Sequence, residues 1–493
     1  MAQRVSRIVD RHSISATPSA TSETFVRGLG LWDATAVVAG SMIGLGIFIV
    51  SADIARQVGA PGWLLVVWGL SALMTIIGAL SYGELAAMMP HAGGQYVYLR
   101  EAYGPLAGFL FGWTLFLVIQ SGTIAAVAVA FAKFTAALLP AFDTVFRVGS
   151  LAVSAQQCLG IVVIAVLTAA NCNGLHTGRW VQNVFTATKV GALIALVGFG
   201  VIVGRNAGAI QANLGNFWGS APFSLSLLPL IGAAMVGALF SSDAWNNITF
   251  AAAEVRDPAR TVPLSLMIGT SVVSGLYIAA NLVYLAALPL LGQAGAATPL
   301  GRGIEFATSD RVATAAIEVT IGQGGAVIMA LAIMISTFGC VNGLILAGAR
   351  VYYAMARDGL FFPAAGFLNT RRVPAAALVL QGIWASLLTL SGTYGDLLDY
   401  VIFAALLFYV LTVGAVFVLR RTQPATPRPY RAVGYPIVPA AYVALAALIM
   451  LDLLVVKPRY TWPGVLIVAS GVPAFYWWRR RGPQSQRRVS RLY

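Results

Sequence analysis

The chain has 493 residues, of which 59% are hydrophobic and only 10% charged, and its formal net charge is +14 at pH 7. Soluble domains carry about 25% charged residues, so this composition excludes a soluble two-domain protein and indicates a polytopic membrane protein. The positive charge alone would suit a nucleic-acid-binding protein, but its placement along the chain argues against that partner.

Twelve apolar runs of about 20 residues predict twelve transmembrane helices, because this length spans the hydrocarbon core of a bilayer. The polar segment 1–30 that precedes them lacks the apolar core of a cleavable signal, and we predict a disordered cytoplasmic tail there. The runs are 31–55, 61–89, 105–138, 154–171, 180–204, 226–251, 264–290, 322–349, 374–392, 397–419, 434–456 and 461–478.

The basic residues alternate between the two sides of this arrangement. Of the 31 Lys and Arg residues, 22 fall on one side and 7 on the other, while Lys133 and Lys189 fall within runs. The positive-inside rule then puts both termini in the cytoplasm. The charge thus indicates orientation in a cell membrane, and we expect the lipid bilayer, not a nucleic acid, as a partner.

The first run contains three glycines at its centre, in the sequence GSMIGLGIF at residues 40–48. Glycine weakens a helix by about 1 kcal/mol relative to alanine, and an opened backbone within the bilayer must line a cavity. We predict a broken helix whose free amides, with the start of a half helix near Ile47, bind an anionic group such as a carboxylate. Alternatively, the glycines only permit close helix packing.

Glu84 lies near the end of the second run, close to the predicted cytoplasmic face. A carboxylate this near the membrane needs a partner, which a basic residue of the inner loops could supply. We expect Glu84 to be part of a gate and not to contact a substrate.

Lys189 interrupts the fifth run far from either end. A lysine in this place cannot easily extend to the membrane surface, so we expect it to face the bundle interior and donate to carbonyls or a carboxylate. A shallower helix that lets Lys189 reach the interface is the alternative.

The sixth run contains a second interruption, where Phe240, Ser241, Ser242 and Asp243 cluster at mid-depth. A carboxylate at this depth requires a hydrated cavity or a cationic partner. Because interrupted helices open both run one and run six, runs one to five and six to ten predict an inverted repeat with a midplane substrate site. The predicted units are therefore residues 31–204, residues 205–419, a pair of further helices at 420–478 and a basic cytoplasmic tail at 479–493.

The eighth run carries two neighbouring hydroxyls, Ser336 and Thr337, which could line a small cation site or bond back to their own helix. No nucleotide-binding glycine loop is present, and the three cysteines lack metal-ligand spacing. We therefore predict no cofactor and no metal, and we interpret the cysteines as small core residues.

These segments together resemble the amino acid, polyamine and organocation transporter superfamily, and within it the L-type amino acid transporter family. The resemblance is carried by residues 40–48, 82–85, 181–186 with Lys189, 245–246 followed by Glu254, 338–343 and 427–429. It implies a five-plus-five inverted repeat with discontinuous first and sixth helices and two extra helices at the carboxyl end.

The resemblance also implies roles for individual residues. Backbone amides near Gly44, Leu45 and Gly46 would bind a substrate carboxylate, and Phe240 would close over the substrate from outside. Lys189 would replace a metal ion by bridging the first helix to the eighth near Ser336. The implied substrate-binding residues are Ser41, Met42, Ile43, Gly44, Leu45, Gly46, Phe240, Ser241, Ser242 and Asp243.

The sequence departs from the family pattern in three places. Leu45 replaces a serine, which removes a hydroxyl contact and shrinks the pocket. Asp243 stands at a position that varies between glycine and aspartate, and it would favour small neutral or cationic side chains. No cysteine occurs between Leu139 and Val153 to form a disulfide with a glycoprotein partner, so a stand-alone, prokaryotic type is expected, without a covalent heavy chain.

From these observations we predict a sodium-independent amino acid transporter, not an enzyme, that works by alternating access as an exchanger of small or neutral L-amino acids. Two alternatives are a proton-coupled symporter in which Lys189 or Asp243 titrates, and a carrier of polyamines or cationic amino acids that uses Asp243 as counter-charge. A membrane enzyme lacks a catalytic constellation in this sequence, and a channel lacks a pore motif.

Overall fold

The computed structural model describes residues 25–148, 151–219, 225–391, 394–456 and 458–489. The predicted disordered tail falls mostly on residues 1–24, which lie outside the described residues, as do residues 490–493 of the predicted basic tail. The described chain is mainly helical, as its apolar composition requires: a helix satisfies its own backbone hydrogen bonds in the absence of water.

Eight helices form the first part of the chain. A π-helical segment, Leu115–Ile119, joins the fifth helix to the sixth, and a small antiparallel hairpin, which the all-helical prediction did not include, precedes the seventh. The elements are α1 (Leu31–Met42), α2 (Gly46–Val58), α3 (Pro61–Met88), α4 (Gln95–Tyr103), α5 (Pro105–Thr114), α6 (Gln120–Leu138), β1 (Val145–Val148), β2 (Leu151–Ser154), α7 (Ala155–Cys172) and α8 (Leu175–Ile202).

The remaining helices include several short ones in the connections. Four 3₁₀ turns, at Pro140–Asp143, Ala252–Glu254, Thr308–Asp310 and Pro363–Gly366, complete the described elements. The helices are α9 (Ala207–Gly215), α10 (Leu227–Ser241), α11 (Asn247–Phe250), α12 (Pro258–Ala287), α13 (Pro299–Arg302), α14 (Val312–Ile321), α15 (Gln323–Arg357), α16 (Ala375–Ser391), α17 (Tyr394–Thr422), α18 (Ile437–Val456) and α19 (Pro458–Val489).

Nine helices in the described ranges are long and apolar enough to cross a bilayer, with α1 and α2 counted together and α5 with α6. The apolar helices α10 and α16 are shorter, and they fall on the sixth and ninth predicted runs. The last predicted run lies within α19, which continues into a basic segment. A polytopic membrane fold is therefore supported, whereas the count of twelve spans stays a prediction.

The centre of the bundle is formed where the two halves meet. There α3 packs along α12, α6 along α15, α7 against α16 and α2 against α10. Large apolar side chains remain exposed on the outer faces of α7 and α8, for example Val162, Val166 and Ile194, where a bilayer would cover them. This arrangement brings the ends of α1 and α10 together at Tyr277 of α12, and α1 also packs against α15.

The cysteines are only partly in the core. Cys340 is buried, but Cys172 is half-buried and Cys158 is exposed. The interpretation of all three as core residues was therefore wrong for Cys158, because it lies on the outward face of α7.

Candidate functional site

The first break separates α1, which ends at Met42, from α2, which begins at Gly46. Ile43 is extended, with φ −74° and ψ 91°. The amides of Gly44, Leu45 and Gly46 donate to no backbone carbonyl among the described residues. Unpaired amides at the start of a helix attract anions. The break thus has the chemistry of a carboxylate site, and its half helix begins one residue before the predicted position.

The second break separates α10, which ends at Ser241, from α11, which begins at Asn247. Within it, Ala244 has a positive φ of 64°, which turns the chain sharply. Asp243 precedes this turn and is half-buried, while Ser242 is buried. The interruption that the polar residues predicted is therefore present in the structure.

The two breaks touch each other. A β-carbon added to Gly46 would lie 2.1 Å from the Ser241 Oγ and 2.8 Å from the Ser241 Cα. The Tyr277 hydroxyl on α12 contacts the carbonyl oxygens of Met42 and Ser241, at 3.1 Å each, and can donate to either. Gly46 therefore has a packing role as well as a place in the break, so the two interpretations of the glycines are compatible.

Lys189 reaches the first break from α8. Its Nζ donates to the carbonyl oxygens of Gly40, of Ile43 at 2.9 Å and of Ser336 at 3.4 Å. The residue is 1% exposed, so it does not extend to the membrane surface. The ammonium group thus joins α1, the break and α15 at one point.

The two hydroxyls of α15 differ in their contacts. The Ser336 hydroxyl contacts the carbonyl oxygens of Ile43 at 3.1 Å and Gly44 at 3.2 Å. Thr337 instead donates to its own helix, at the carbonyl of Ile333. Only Ser336 therefore takes part in the first break.

Apart from the Ser241 carbonyl that Tyr277 contacts, side chains form the contacts of the second break. The Tyr409 hydroxyl donates to Asp243 Oδ1 at 2.5 Å, so the partner of this carboxylate is neutral. Asn246 donates to Gln95 at 2.9 Å, and the ring of Trp245 stacks on that of Tyr409. These contacts connect the break to α4 and α17.

Two other predicted site residues lie beside the breaks. The Ser41 hydroxyl is buried and has no hydrogen-bond partner in the described part of the chain. Phe240 is half-buried at the end of α10 and packs against the apolar core. Both are therefore within the region where the breaks meet.

A cavity of about 630 Å³, which we call the outer cavity, reaches the first break. Leu45 and Ile49 line it from the break side, and Lys133 and Phe134 line it from α6. The guanidinium of Arg311 lies 4.9 Å from the centre of the Phe134 ring at its rim. The side chain of Leu45 therefore occupies space in the access route to the site.

The opposite side of the bundle, which we call the basic side because it carries Arg350, Arg420 and Arg428, is closed by a buried ion pair. Arg350 on α15 donates to both carboxylate oxygens of Glu254, at 2.9 and 3.2 Å, and both side chains are at most 2% exposed. The segment before α1 covers this pair, because Leu29 pairs with Val255 as a parallel bridge. The site is thus reached from the outer cavity and blocked on the basic side.

Glu84 forms a second contact on the basic side. Arg420 donates to its two oxygens at 2.9 and 2.6 Å, and the amide of Ala432 donates at 2.7 Å. Arg428 lies 3.4 Å away. The carboxylate thereby joins α3 to the end of α17 and to the connector that follows it.

The amino acid permease profile matches residues 29–476. The chain belongs to the amino acid permease family. Human b(0,+)-type amino acid transporter 1 is 29% identical over 475 residues, covering 95% of this chain and 91% of that protein. Mouse large neutral amino acids transporter small subunit 2 is 29% identical over 460 residues, covering 91% and 80%. As a permease, the chain is a membrane transporter and not an enzyme, and its resemblance to L-type amino acid transporters is confirmed.

Several residues of the site were not found from the sequence. Tyr277 is one, although a tyrosine in the middle of an apolar run is a usable signal, since a buried hydroxyl needs a partner. The pairing of Glu254 with Arg350 is another, because the two residues lie 96 positions apart. Tyr409, which contacts Asp243, is a third, and its place in the middle of the apolar run 397–419 is the same kind of signal.

Proposed function

We propose that this permease is a sodium-independent exchanger of small or neutral L-amino acids, acting by alternating access in the cell membrane with both termini in the cytoplasm. The observation that carries the proposal is the position of Lys189. Its ammonium group donates to carbonyl oxygens on both sides of the first break and on α15. Carbonyl oxygens that converge in this way are the ligands that a hard cation such as Na⁺ needs. A fixed ammonium group supplies that charge, so no sodium ion is required.

The substrate would bind across the two breaks. The unpaired amides of Gly44, Leu45 and Gly46 would bind its carboxylate, and the hydroxyl of Ser41 would add a donor. Carbonyl oxygens of the two breaks would accept from its amino group. The Ser41 carbonyl already accepts from the Cys340 thiol, and the Met42 and Ser241 carbonyls share the one hydroxyl proton of Tyr277, but a carbonyl has two lone pairs.

The packing of the helices supports the inverted repeat. If runs one to five and six to ten are equivalent, each helix of the first unit has a counterpart five positions later. The counterparts α3 and α12, α6 and α15, and α7 and α16 pack on one another. Contacts between equivalent helices are what a two-fold axis through the bundle centre produces.

Alternating access would use the difference between the two sides. The described conformation has an outer cavity that reaches Leu45, and ion pairs that close the basic side. Phe240 would close over the substrate from outside. The contacts of Glu84 and Glu254 would then break to release it into the cytoplasm.

The chain would act without a covalent partner. One similar protein is named a small subunit, and that name describes the relative alone. In this chain the hairpin β1–β2 fills the loop after α6, and the loop sequence contains no cysteine before Ser154.

Uptake into proteoliposomes tests the proposal. Purified protein in sodium-free buffer at fixed pH should take up labelled amino acid only when unlabelled amino acid is inside the vesicles. Uptake into empty vesicles would overturn exchange, and a requirement for sodium would overturn the role of Lys189.

The surroundings of Asp243 favour a second candidate, a carrier of cationic amino acids or polyamines. Its partner is the neutral Tyr409, so the carboxylate could accept a cationic group of a substrate. Competition by putrescine but not by alanine would indicate this function. Uptake that is driven by an imposed pH gradient, without internal substrate, would instead indicate proton coupling.

A further inference from the structure

A small polar cavity lies beside the second break. Its volume is about 20 Å³, which holds one water molecule or one small polar group. Its polar wall comes from α4, α6, α11, α17 and the break itself: Gln95, Gln120, Thr123, Asp243, Asn246, Asn247 and Tyr409. The cavity therefore lies between helices that the break itself connects.

Asn247 is the unusual member of this wall. The residue is 1% exposed, and neither its Nδ2 nor its Oδ1 has a hydrogen-bond partner in the described part of the chain. The neighbouring amides are engaged: Gln95 donates to Thr412 at 3.0 Å, and Gln120 donates to the carbonyl of Leu344 at 2.7 Å. A buried polar group without a partner destabilises the fold, because it has lost its hydrogen bonds to water. Two such atoms on one side chain indicate a ligand that supplies both bonds.

The cavity adjoins the region where the substrate would bind. Asp243 and Ala244, in the second break, are part of its lining. Leu344 on α15 also lines it. One turn earlier on the same helix, the thiol of Cys340 contacts the carbonyl of Ser41 at the first break, at 3.2 Å. A substrate bound across the breaks can therefore extend its side chain toward Asn247.

The helix opposite Asn247 is locally irregular. The π-helical segment at 115–119 contributes Leu115 and Ile119 to the cavity wall. Single π-helical turns inside α-helices occur frequently at functional sites. Simple packing of two helices does not require a π-helical turn. The turn is therefore a second feature, besides the unpaired Asn247, that indicates a functional role for this cavity.

We propose that this cavity binds the end of the substrate side chain and selects a carboxamide, so that glutamine or asparagine is preferred over apolar amino acids of similar length. The inference rests on the proposed amino acid transport and specifies its substrate class. Asn247 offers one free donor and one free acceptor, which a carboxamide pairs with reciprocally. An aliphatic end leaves both atoms unpaired, and a guanidinium or ammonium group cannot donate to the Asn247 oxygen and also accept from its nitrogen.

Exchange assays with matched substrates test this inference. Proteoliposomes loaded with mixed unlabelled amino acids would be given labelled glutamine, and unlabelled glutamine, asparagine, norleucine and lysine would compete. Norleucine is close to glutamine in length but has no polar side-chain atom. We expect glutamine to compete at least tenfold better than norleucine, because sites built around hydrogen bonds reject analogues that lack them.

The variant Asn247→Leu should bring the glutamine-to-norleucine ratio close to one. Asn173→Leu is the matched control, since Asn173 is an exposed asparagine at the end of α7, and it should keep the wild-type ratio. Both measurements are ratios, so they do not depend on the amount of protein reconstituted.

Three outcomes would overturn the inference. Equal competition by glutamine and norleucine in the wild type, or an unchanged ratio in Asn247→Leu, would mean that the cavity holds only water. Stronger competition by lysine than by glutamine would mean that Asp243 and not Asn247 determines the substrate. If Asn247→Leu does not fold, the wild-type competition series decides alone. A wild type that exchanges no amino acid would refute the proposed function itself, and is distinguishable from these results.

Discussion

The two broken helices are held open in different ways. At the first break, donors from other helices bind the backbone: Lys189 from α8, Ser336 from α15 and Tyr277 from α12 all contact carbonyl oxygens of residues 40–44. At the second break, where Tyr277 also contacts the Ser241 carbonyl, the interrupted segment itself contributes the side chains of Asp243 and Asn246, which bind α17 and α4.

This difference indicates a division of labour. At the first break, side chains of other helices fix the carbonyl groups, so the free backbone amides keep one arrangement whichever substrate binds. This arrangement suits the carboxylate that all amino acids share. A break that presents its own side chains can distinguish one substrate side chain from another. Changes at the first break should therefore affect all substrates together, whereas changes at the second should alter selectivity or stability.

The largest effect is expected from Lys189→Ala. The substitution leaves carbonyl oxygens of Gly40 and Ile43 without their ammonium donor, and each unsatisfied buried group costs about 1–3 kcal/mol. Initial uptake rates in proteoliposomes should fall by about 100-fold or more for every amino acid. The protein should still elute as a single species in detergent.

The neighbouring variant Thr188→Ala is the control, because Thr188 is exposed and its hydroxyl donates only to its own helix, at Val184. It should transport at the wild-type rate. Full activity of Lys189→Ala would show that the first break does not depend on external donors.

Gly46→Ala should have the next largest effect. Its added β-carbon would lie 2.1 Å from the Ser241 Oγ and 2.8 Å from the Ser241 Cα, so the backbones of the two breaks must move apart. We expect uptake to fall by about tenfold or more, since an ångström of misplacement at a site has effects of this size. Gly69→Ala in α3 is the matched control, because nothing lies within 4 Å of the added carbon. Equal uptake by the two variants would show that the breaks need not touch.

Tyr277→Phe should be milder. It removes one hydroxyl that contacts the carbonyls of Met42 and Ser241, and a hydrogen bond contributes about 1 kcal/mol net. Uptake should fall by about fivefold, without a change in the order of preferred substrates. Tyr284→Phe, two turns further along α12, removes a 3.3 Å contact to Ile47 inside α2 and should have the smaller effect. Wild-type uptake by Tyr277→Phe would show that neither break needs this donor.

The sequence was sufficient to predict the breaks themselves. Glycines at mid-membrane and polar residues at mid-depth are local features, and the backbone opens close to both of them. The depth of Lys189 likewise predicted an interior contact, because a charge in hydrocarbon must find acceptors. Each of these inferences depends on one segment and on the cost of a polar group in lipid.

Contacts between distant segments could not be predicted in the same way. Tyr409 lies 166 positions from Asp243, and Asn247 lies in a cavity whose wall comes from several helices. From the sequence alone, Asp243 could be paired with a cation, hydrated or bound to a neutral group. Only the packing of α17 against the break decided among these partners.

The smallest effect is expected from Ala244→Gly in the second break. A positive φ costs an alanine about 1–2 kcal/mol, which glycine does not incur. Glycine also loses more conformational freedom on folding, by about 0.5–1 kcal/mol, so the net gain in stability should be at most about 1.5 kcal/mol. The unfolding temperature in detergent should rise slightly, with transport retained. Ala234→Gly, in the helical part of α10, should lower it instead, because glycine weakens a helix by about 1 kcal/mol. A rise in unfolding temperature for Ala244→Gly with a fall for Ala234→Gly would show that the turn at the second break is a fixed feature of the backbone. A fall for both variants would mean that residue 244 is helical in the membrane and that the second helix is less broken than the first.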